Sequence, residues 1–362
     1  MGAARTARAP RPRPAIDDLR GADVVSSGAL ISVVVPVYNE VEGIRHFHAR
    51  TTAALGALPG DDYELIYVDD GSRDGSYAAL SELADGNPRV RVVKFSRNFG
   101  HQIAITAGLD YAKGDAIVFI DADLQDPPEV IAKLVEKWRE GFDVVYGQRT
   151  RRPGETAFKL ATAAAFYRVL RSLANIDIPP DAGDFRLLSR RVADQLRGMR
   201  EKDRFVRGLV SWVGFRQASV LYQREERFAG KSKYPLRKML KFAFDGLTSF
   251  STAPLRLASW LGYVTSAFAF LYLVTVFIQV LLGVTVEGWA TTMVAILFLG
   301  GVQLVCVGIL GEYLGRIFNE VKARPVYIVE ESLGATAEAP ALEHERVRPV
   351  AAVNAPRSTQ SM

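Results

Sequence analysis

Carboxylates gather at the ends of apolar runs in this sequence. Asp121-Ala-Asp-Leu-Gln125 follows the run Ala116 to Ile120 and is closed by Asp126-Pro127-Pro128. A strand ending in two carboxylates two residues apart predicts both side chains on one face, because strand side chains alternate with period two. Two like charges so placed call for a cation. Hard oxygen ligands beside a Gln amide suit Mg2+ or Mn2+, ions that bind through one or two carboxylates together with phosphate oxygens. Asp121, Asp123 and Gln125 are therefore the candidate metal ligands. Upstream, Asp69-Asp70-Gly71 offers acceptors for the N–H and O–H groups of a base or ribose. There Gly71 permits a tight turn, and Ser72 or Asp74 can cap the helix that follows.

These residues need strands to aim them. Ile31 to Glu40 is a β-branched run with a polar tip, and Glu64 to Ser72 repeats the design about thirty residues later. In a parallel α/β sheet, ligands sit outside the carboxyl ends of the strands. Tyr38, Glu40, Asp69, Asp70 and Asp121 are thus expected at one crevice, and a further strand over 143–146 leads to Arg149. The chain has 362 residues, 45 Lys+Arg against 40 Asp+Glu, and a net charge of +5. This mild excess fits anionic lipid and phosphate partners, and no nucleic-acid-binding signature accompanies it. Cys306 is the only cysteine, which excludes an intramolecular disulfide and a Cys-based zinc cluster.

Two uncharged segments, Leu257 to Leu282 and Trp289 to Gly311, are long enough at about 1.5 Å per residue to cross a hydrocarbon core of about 30 Å. They predict a transmembrane hairpin over 257–318. Arg237, Lys238, Lys241 and Arg256 precede it and Arg316, Lys322 and Arg324 follow, whereas its 283–288 loop has no Lys or Arg. The positive-inside rule puts both ends in the cytoplasm. Over 235–256, Leu236, Met239, Leu240, Ala243, Leu247 and Phe250 recur at helical spacing, as in an amphipathic helix lying in the headgroup layer or packing on the soluble domain. Arg227, Lys231, Ser232 and Lys233, around Gly230, form a candidate phosphate cradle at that boundary. Residues 1–28 read as a disordered basic arm, 319–331 as a cytoplasmic segment and 332–362 as a disordered tail. Gly300, Gly301, Gly308 and Gly311 suit either a homo-oligomer contact or the hairpin itself.

VVVPVYNE (33–40), VDDGSRDGS (68–76), FSRNFGHQIAITAGL (95–109), DADLQDPPE (121–129) and YGQR (146–149) resemble the family 2 glycosyltransferases of the α/β GT-A fold. Within these, the chain is similar to the polyprenyl-phosphate sugar transferases over about residues 31–329. The resemblance implies a mainly parallel, Rossmann-like catalytic domain over 29–234. It implies a nucleotide-sugar donor at Pro36, Tyr38, Glu40, Asp69, Asp70 and Asp121, and a polyprenyl phosphate acceptor. Arg149 matches a family position near the acceptor phosphate, and Lys159, Arg186, Arg204 and the 227–233 cluster are further candidate cations. Glucose from UDP-glucose, moved with inversion at the inner membrane, is the expected reaction. Mannose, GlcNAc and modified sugars stay open, as does a non-catalytic nucleotide-sugar-binding accessory role. A polyprenyl phosphate acceptor is already largely ionised near neutral pH, so no general base is assigned, and His101 is read as a helix-start residue.

Overall fold

A computed structural model describes residues 28–150, 182–202, 204–225, 252–283 and 288–334. The β-branched runs become β1 (Leu30–Val37), β2 (Asp62–Asp69), β3 (Val90–Phe95) and β4 (Ala116–Phe119), a parallel block with β1 between β2 and β4. A mid-sheet strand is covered on both sides, which is why its sequence is apolar without alternation. On one face, Val33 and Val35 of β1 meet Phe47 of α1 (Ile44–Gly56), Leu80 of α2 (Ser76–Gly86) and Leu134 of α4 (Val130–Arg139). On the other, Val34 packs with Ile105 of α3 (His101–Tyr111), Leu196 of α5 (Arg190–Gly198) and Leu209 of α6 (Val206–Trp212). Along α4, Val130, Ile131, Leu134, Val135 and Trp138 are buried at helical spacing. Truncating Leu134 to Ala there would cost about 2–5 kcal/mol.

Four more strands complete the sheet: β5 (Val144–Arg149), β6 (Ala182–Ser189), β7 (Gln217–Tyr222) and β8 (Val329–Leu333), in the order β7-β5-β6-β4-β1-β2-β3-β8. Because β6 is antiparallel to both β4 and β5, and β7 is parallel to β5, the ends of β4, β5 and β7 lie at one edge with those of β1 and β2. The start of β6 comes to the same edge. The mainly parallel α/β sheet of the GT-A type is present, with β6 and β8 as its antiparallel members.

The acidic pair departs from the strand-alternation argument. β4 ends at Phe119 and residues 122–126 lie in turns and bends, so pleating does not align Asp121 with Asp123. Instead Leu124 takes a left-handed φ of 58° and the Gln125 N–H donates to Asp123 Oδ1 at 3.1 Å.

α7 (Ala253–Leu281) and α8 (Trp289–Val321) are both long and apolar enough to cross a membrane, and their large apolar side chains are exposed. Each runs past its expected span. Residues 253–256 form the first turn of α7, and α8 continues to Val321. The chain then returns, and β8 pairs antiparallel with β3 from Val92↔Leu333 to Phe95↔Val329. That return strand has no counterpart in the expected organisation, where the tail begins at 332. Tyr327 stacks on Phe95 at 5.2 Å between ring centroids and donates to Asp110 Oδ2 at 2.9 Å. A β-carbon added at Gly300, Gly301, Gly308 or Gly311 would meet no neighbouring element within 4 Å, so these glycines do not serve the α7–α8 contact. The basic arm to residue 27, the amphipathic stripe over 236–250 and the tail from 335 lie outside the described residues.

Candidate active site

Asp69 closes β2 at the floor of the crevice. It is fully buried, its Oδ2 accepts from the Ser72 N–H at 3.3 Å, and its Oδ1 has no hydrogen-bond partner. Burial pushes this carboxyl above its ordinary range. An unsatisfied buried acceptor is costly, and here it suits an N–H supplied by a ligand. Pro36, opposite Val68 in the β1–β2 register, is buried in the floor, while the Tyr38 ring is 46% exposed at the mouth.

Asp70 does something else. Its Oδ1 accepts from the Phe99 N–H at 2.6 Å, and its Oδ2 from Asn98 Nδ2 at 2.9 Å and the Gly100 N–H at 3.0 Å. The carboxylate is spent on the loop between β3 and α3, so Asp70 clamps that loop beside the expected donor site. Gly71, at φ 70°, lies where a β-carbon would meet the Arg97 and Asn98 backbone at 2.6 and 2.7 Å. The two upstream motifs also hold each other. The N–H groups of Asn39, Glu40 and Val41 donate to Ser72 Oγ at 3.0 Å, Ser76 Oγ at 2.9 Å and Asp74 Oδ2 at 3.2 Å. Asp74 Oδ1 accepts from the Ser76 N–H at 2.9 Å at the start of α2.

Asp121 leads the acidic group, its side chain 32% exposed. Burial pushes its carboxyl up to about 6, with Asp184, Asp123 and Asp126 reinforcing the shift and His101 opposing it. His101 Nε2 lies 3.5 Å from Asp121 Oδ1 and 3.4 Å from Asp184 Oδ2. Burial works to lower the His101 pKa, but Asp184 and Asp121 outweigh it and the net shift is upward. Asp184 is gripped by Arg207, with Nε at 2.7 Å and Nη2 at 2.9 Å. Burial would raise the Asp184 pKa, yet Arg207 and His101 hold it well below the carboxylate range. Motif spacing indicates none of His101, Asp184 and Arg207 as neighbours of Asp121. Only the glycine before His101, which turns the chain into α3, hints at its placement.

Among the candidate cations, Arg149 ends β5 at this edge, its Nη2 3.6 Å from Oδ2 of buried Asp126. Arg186 is buried in β6, where Nη2 donates to the Gly183 carbonyl at 2.8 Å and Nε has no partner. Burial lowers its pKa to about 10. Arg204 is elsewhere. Its Nη1 donates to the Met199 carbonyl and its Nη2 to the Leu196 carbonyl at 3.0 Å, which caps the C-terminus of α5. Lys159, Arg227, Lys231, Ser232 and Lys233 lie outside the described residues.

Among the described residues no three His, Cys, Asp or Glu side chains form a complete metal cage. Two carboxylates in an acidic group that raises the pKa of Asp121 do fit a hard divalent cation whose other ligands are phosphate oxygens and water.

Residues 32–197 match glycosyl transferase family 2, and residues 253–317 match the GtrB C-terminal hairpin. The uncharacterized glycosyltransferase YkcC of Bacillus subtilis is 52% identical over 304 residues, covering 84% of this chain and 94% of its own. The uncharacterized glycosyltransferase sll0501 of Synechocystis is 48% identical, over 84% and 96% of the two chains. The SfII prophage-derived bactoprenol glucosyl transferase of Shigella flexneri is 43% identical, over 83% and 98%. With the GT-A-type sheet, the acidic edge and the paired apolar helices already in place, these matches make the chain a member of glycosyl transferase family 2 that carries the GtrB C-terminal hairpin.

Proposed function

We propose that this glycosyltransferase moves glucose from UDP-glucose to polyprenyl phosphate, of the undecaprenyl type, with inversion and with the help of Mg2+ or Mn2+. The observation that carries the reading is the single sheet edge on which the orphan Asp69 Oδ1, the acidic group around Asp121 and the Arg149 guanidinium converge, in a chain 43% identical to a bactoprenol glucosyl transferase. Asp69 accepts the N–H of the base, and Tyr38 lies against it at the mouth. Asp121 and Asp123, with Gln125 beside them, would hold the divalent cation, which when bound would supply positive charge to the departing diphosphate. Arg149 draws in the acceptor phosphate. One of that phosphate's oxygens forms the new bond to the anomeric carbon from the face opposite the diphosphate, and the bond from that carbon to the diphosphate oxygen breaks. The acceptor arrives ionised, so no side chain removes a proton. His101 lies 3.5 Å from Asp121 and 3.4 Å from Asp184, and catalysis rests on positioning and electrostatics.

The same reading puts the catalytic domain and both ends of the hairpin on the cytoplasmic side of the plasma membrane. The sheet supports it. β7 before the hairpin and β8 after it are strands of one sheet, which requires an even number of crossings between them. The test is to incubate the purified protein with a panel of nucleotide sugars, undecaprenyl phosphate and Mn2+, and to weigh the lipid product. A hexose added only from UDP-glucose is expected. Transfer of another sugar, or to a lipid without a phosphate, overturns the assignment.

A further inference from the structure

Arg149 does not stand alone at the edge of the site. Its Nε donates to the Tyr222 hydroxyl at 3.2 Å, and that hydroxyl donates in turn to Asp126 Oδ1 at 2.6 Å. Asp126 is 1% exposed and has Arg149 Nη2 at 3.6 Å and Arg224 Nε at 3.5 Å. One buried carboxylate lies between two guanidiniums, of which Arg149 is 30% exposed. The strands are cut to fit this arrangement. Arg149 and Tyr222 are register partners in β5 and β7, and the Thr150 N–H donates to the Tyr222 carbonyl at 3.0 Å. The Tyr222 ring stands edge-on to Phe185, 5.6 Å away, over Gly147, where a β-carbon would fall 2.8 Å from the ring. At Gly183 a β-carbon would fall 2.7 Å from Arg149 Nη2. Two glycines on neighbouring strands thus leave room for one phenol and one guanidinium.

The free arginine side chain has several rotatable bonds, and ordering it during the reaction would forfeit binding energy. We propose that Tyr222, through its hydrogen bond to Arg149 and its anchor on Asp126, is a positioning residue that presents the Arg149 guanidinium to the phosphate of the acceptor. This rests on the acceptor reading above. The same side chain ties the end of β7 to the loop carrying Asp121 and Asp123, since Asp126 belongs to that loop and the Glu225 N–H donates to the Gln125 carbonyl at 2.9 Å.

The experiment is a double-mutant cycle in the full-length enzyme with undecaprenyl phosphate varied at saturating UDP-glucose. Tyr222→Phe keeps the ring and removes the hydroxyl, and is expected to lower kcat/KM for the lipid about tenfold with donor KM unchanged. In an Arg149→Ala background the same change should have little further effect. An equal loss in both backgrounds, or a loss confined to donor KM, overturns the proposal. A second measurement does not depend on the acceptor. Phenylglyoxal labels exposed arginine, and peptide mass should show Arg149 labelled several-fold faster in Tyr222→Phe than in wild type, at matched melting temperature. Equal labelling rates refute the positioning role even if the lipid proves to be another compound. A wild type that transfers nothing to undecaprenyl phosphate but shows the labelling difference refutes the acceptor reading alone.

Discussion

At the scale of single residues, the carboxylates at the sheet edge divide by what satisfies them. Asp70 is fully engaged by the protein, Asp184 is held by an arginine, Asp69 keeps one oxygen without a hydrogen bond, and Asp121 is 32% exposed with His101 3.5 Å away. Asp121→Asn or Asp123→Asn should abolish transfer while the melting temperature stays near wild type, and chelation by EDTA should silence the wild type until Mg2+ or Mn2+ is restored. Asp69→Asn should weaken UDP binding about tenfold to a hundredfold, since it exchanges a charged acceptor for an amide at a buried site. Calorimetry with UDP and Mn2+ checks this. The Asp184–Arg207 pair gives a pH signature. A carboxylate whose folded pKa lies below its unfolded value adds stability above the unfolded pKa of about 3.9, and loses it as pH falls through the folded one. Asp184→Asn should therefore be less stable than wild type at neutral pH, and urea titrations should show the gap closing only below about pH 4.

At the scale of elements, the motifs are as much scaffolding as site. The run at 38–41 hangs from side chains of 72–76, and the loop at 98–100 hangs from Asp70. Asp70→Ala should free the Phe99 and Gly100 amides, and hydrogen exchange there should quicken while core strands keep their protection. The contiguous parts of this design were legible in the sequence. Apolar runs of four or five residues identify β1, β2 and β4, and Asp121 with Asp123 announces itself because both sit within one short turn. What brings His101 to Asp121, Asp126 to Tyr222, or Arg207 to Asp184 is the packing of elements far apart in the chain, and no local pattern encodes it. Arg204 shows how far such a contact lies from local pattern. A cation in a polar stretch suggests a ligand contact until the carbonyls at the end of α5 are seen to need a donor. The strand β8 was illegible for a related reason, since Val-Glu-Glu-Ser-Leu alternates too weakly to mark an edge strand.

At the scale of the whole molecule, the α/β sheet and the apolar helix pair share their boundaries. Lys202 donates its N–H to Glu320 Oε1 at 2.7 Å, linking the end of α8 to the turn before α6. Cys306 is the only cysteine, so a Cys306→Ser background leaves a clean field for topology probes. In it, Glu287→Cys should be labelled by an impermeant maleimide on intact cells and Lys322→Cys only after lysis, and labelling of both from one side would exclude the hairpin topology. The return of the chain to pair β8 with β3 also sets an order of assembly. Ribosomes make β3 more than two hundred residues before its partner, and until both apolar helices have entered the bilayer the open rim of β3 has no cover against other chains. A fragment cut ahead of α7 would keep that rim bare permanently and lose the Tyr327 lid on Phe95, so sedimentation should show it associating through that rim, and capping the rim with a β8 peptide should reverse this.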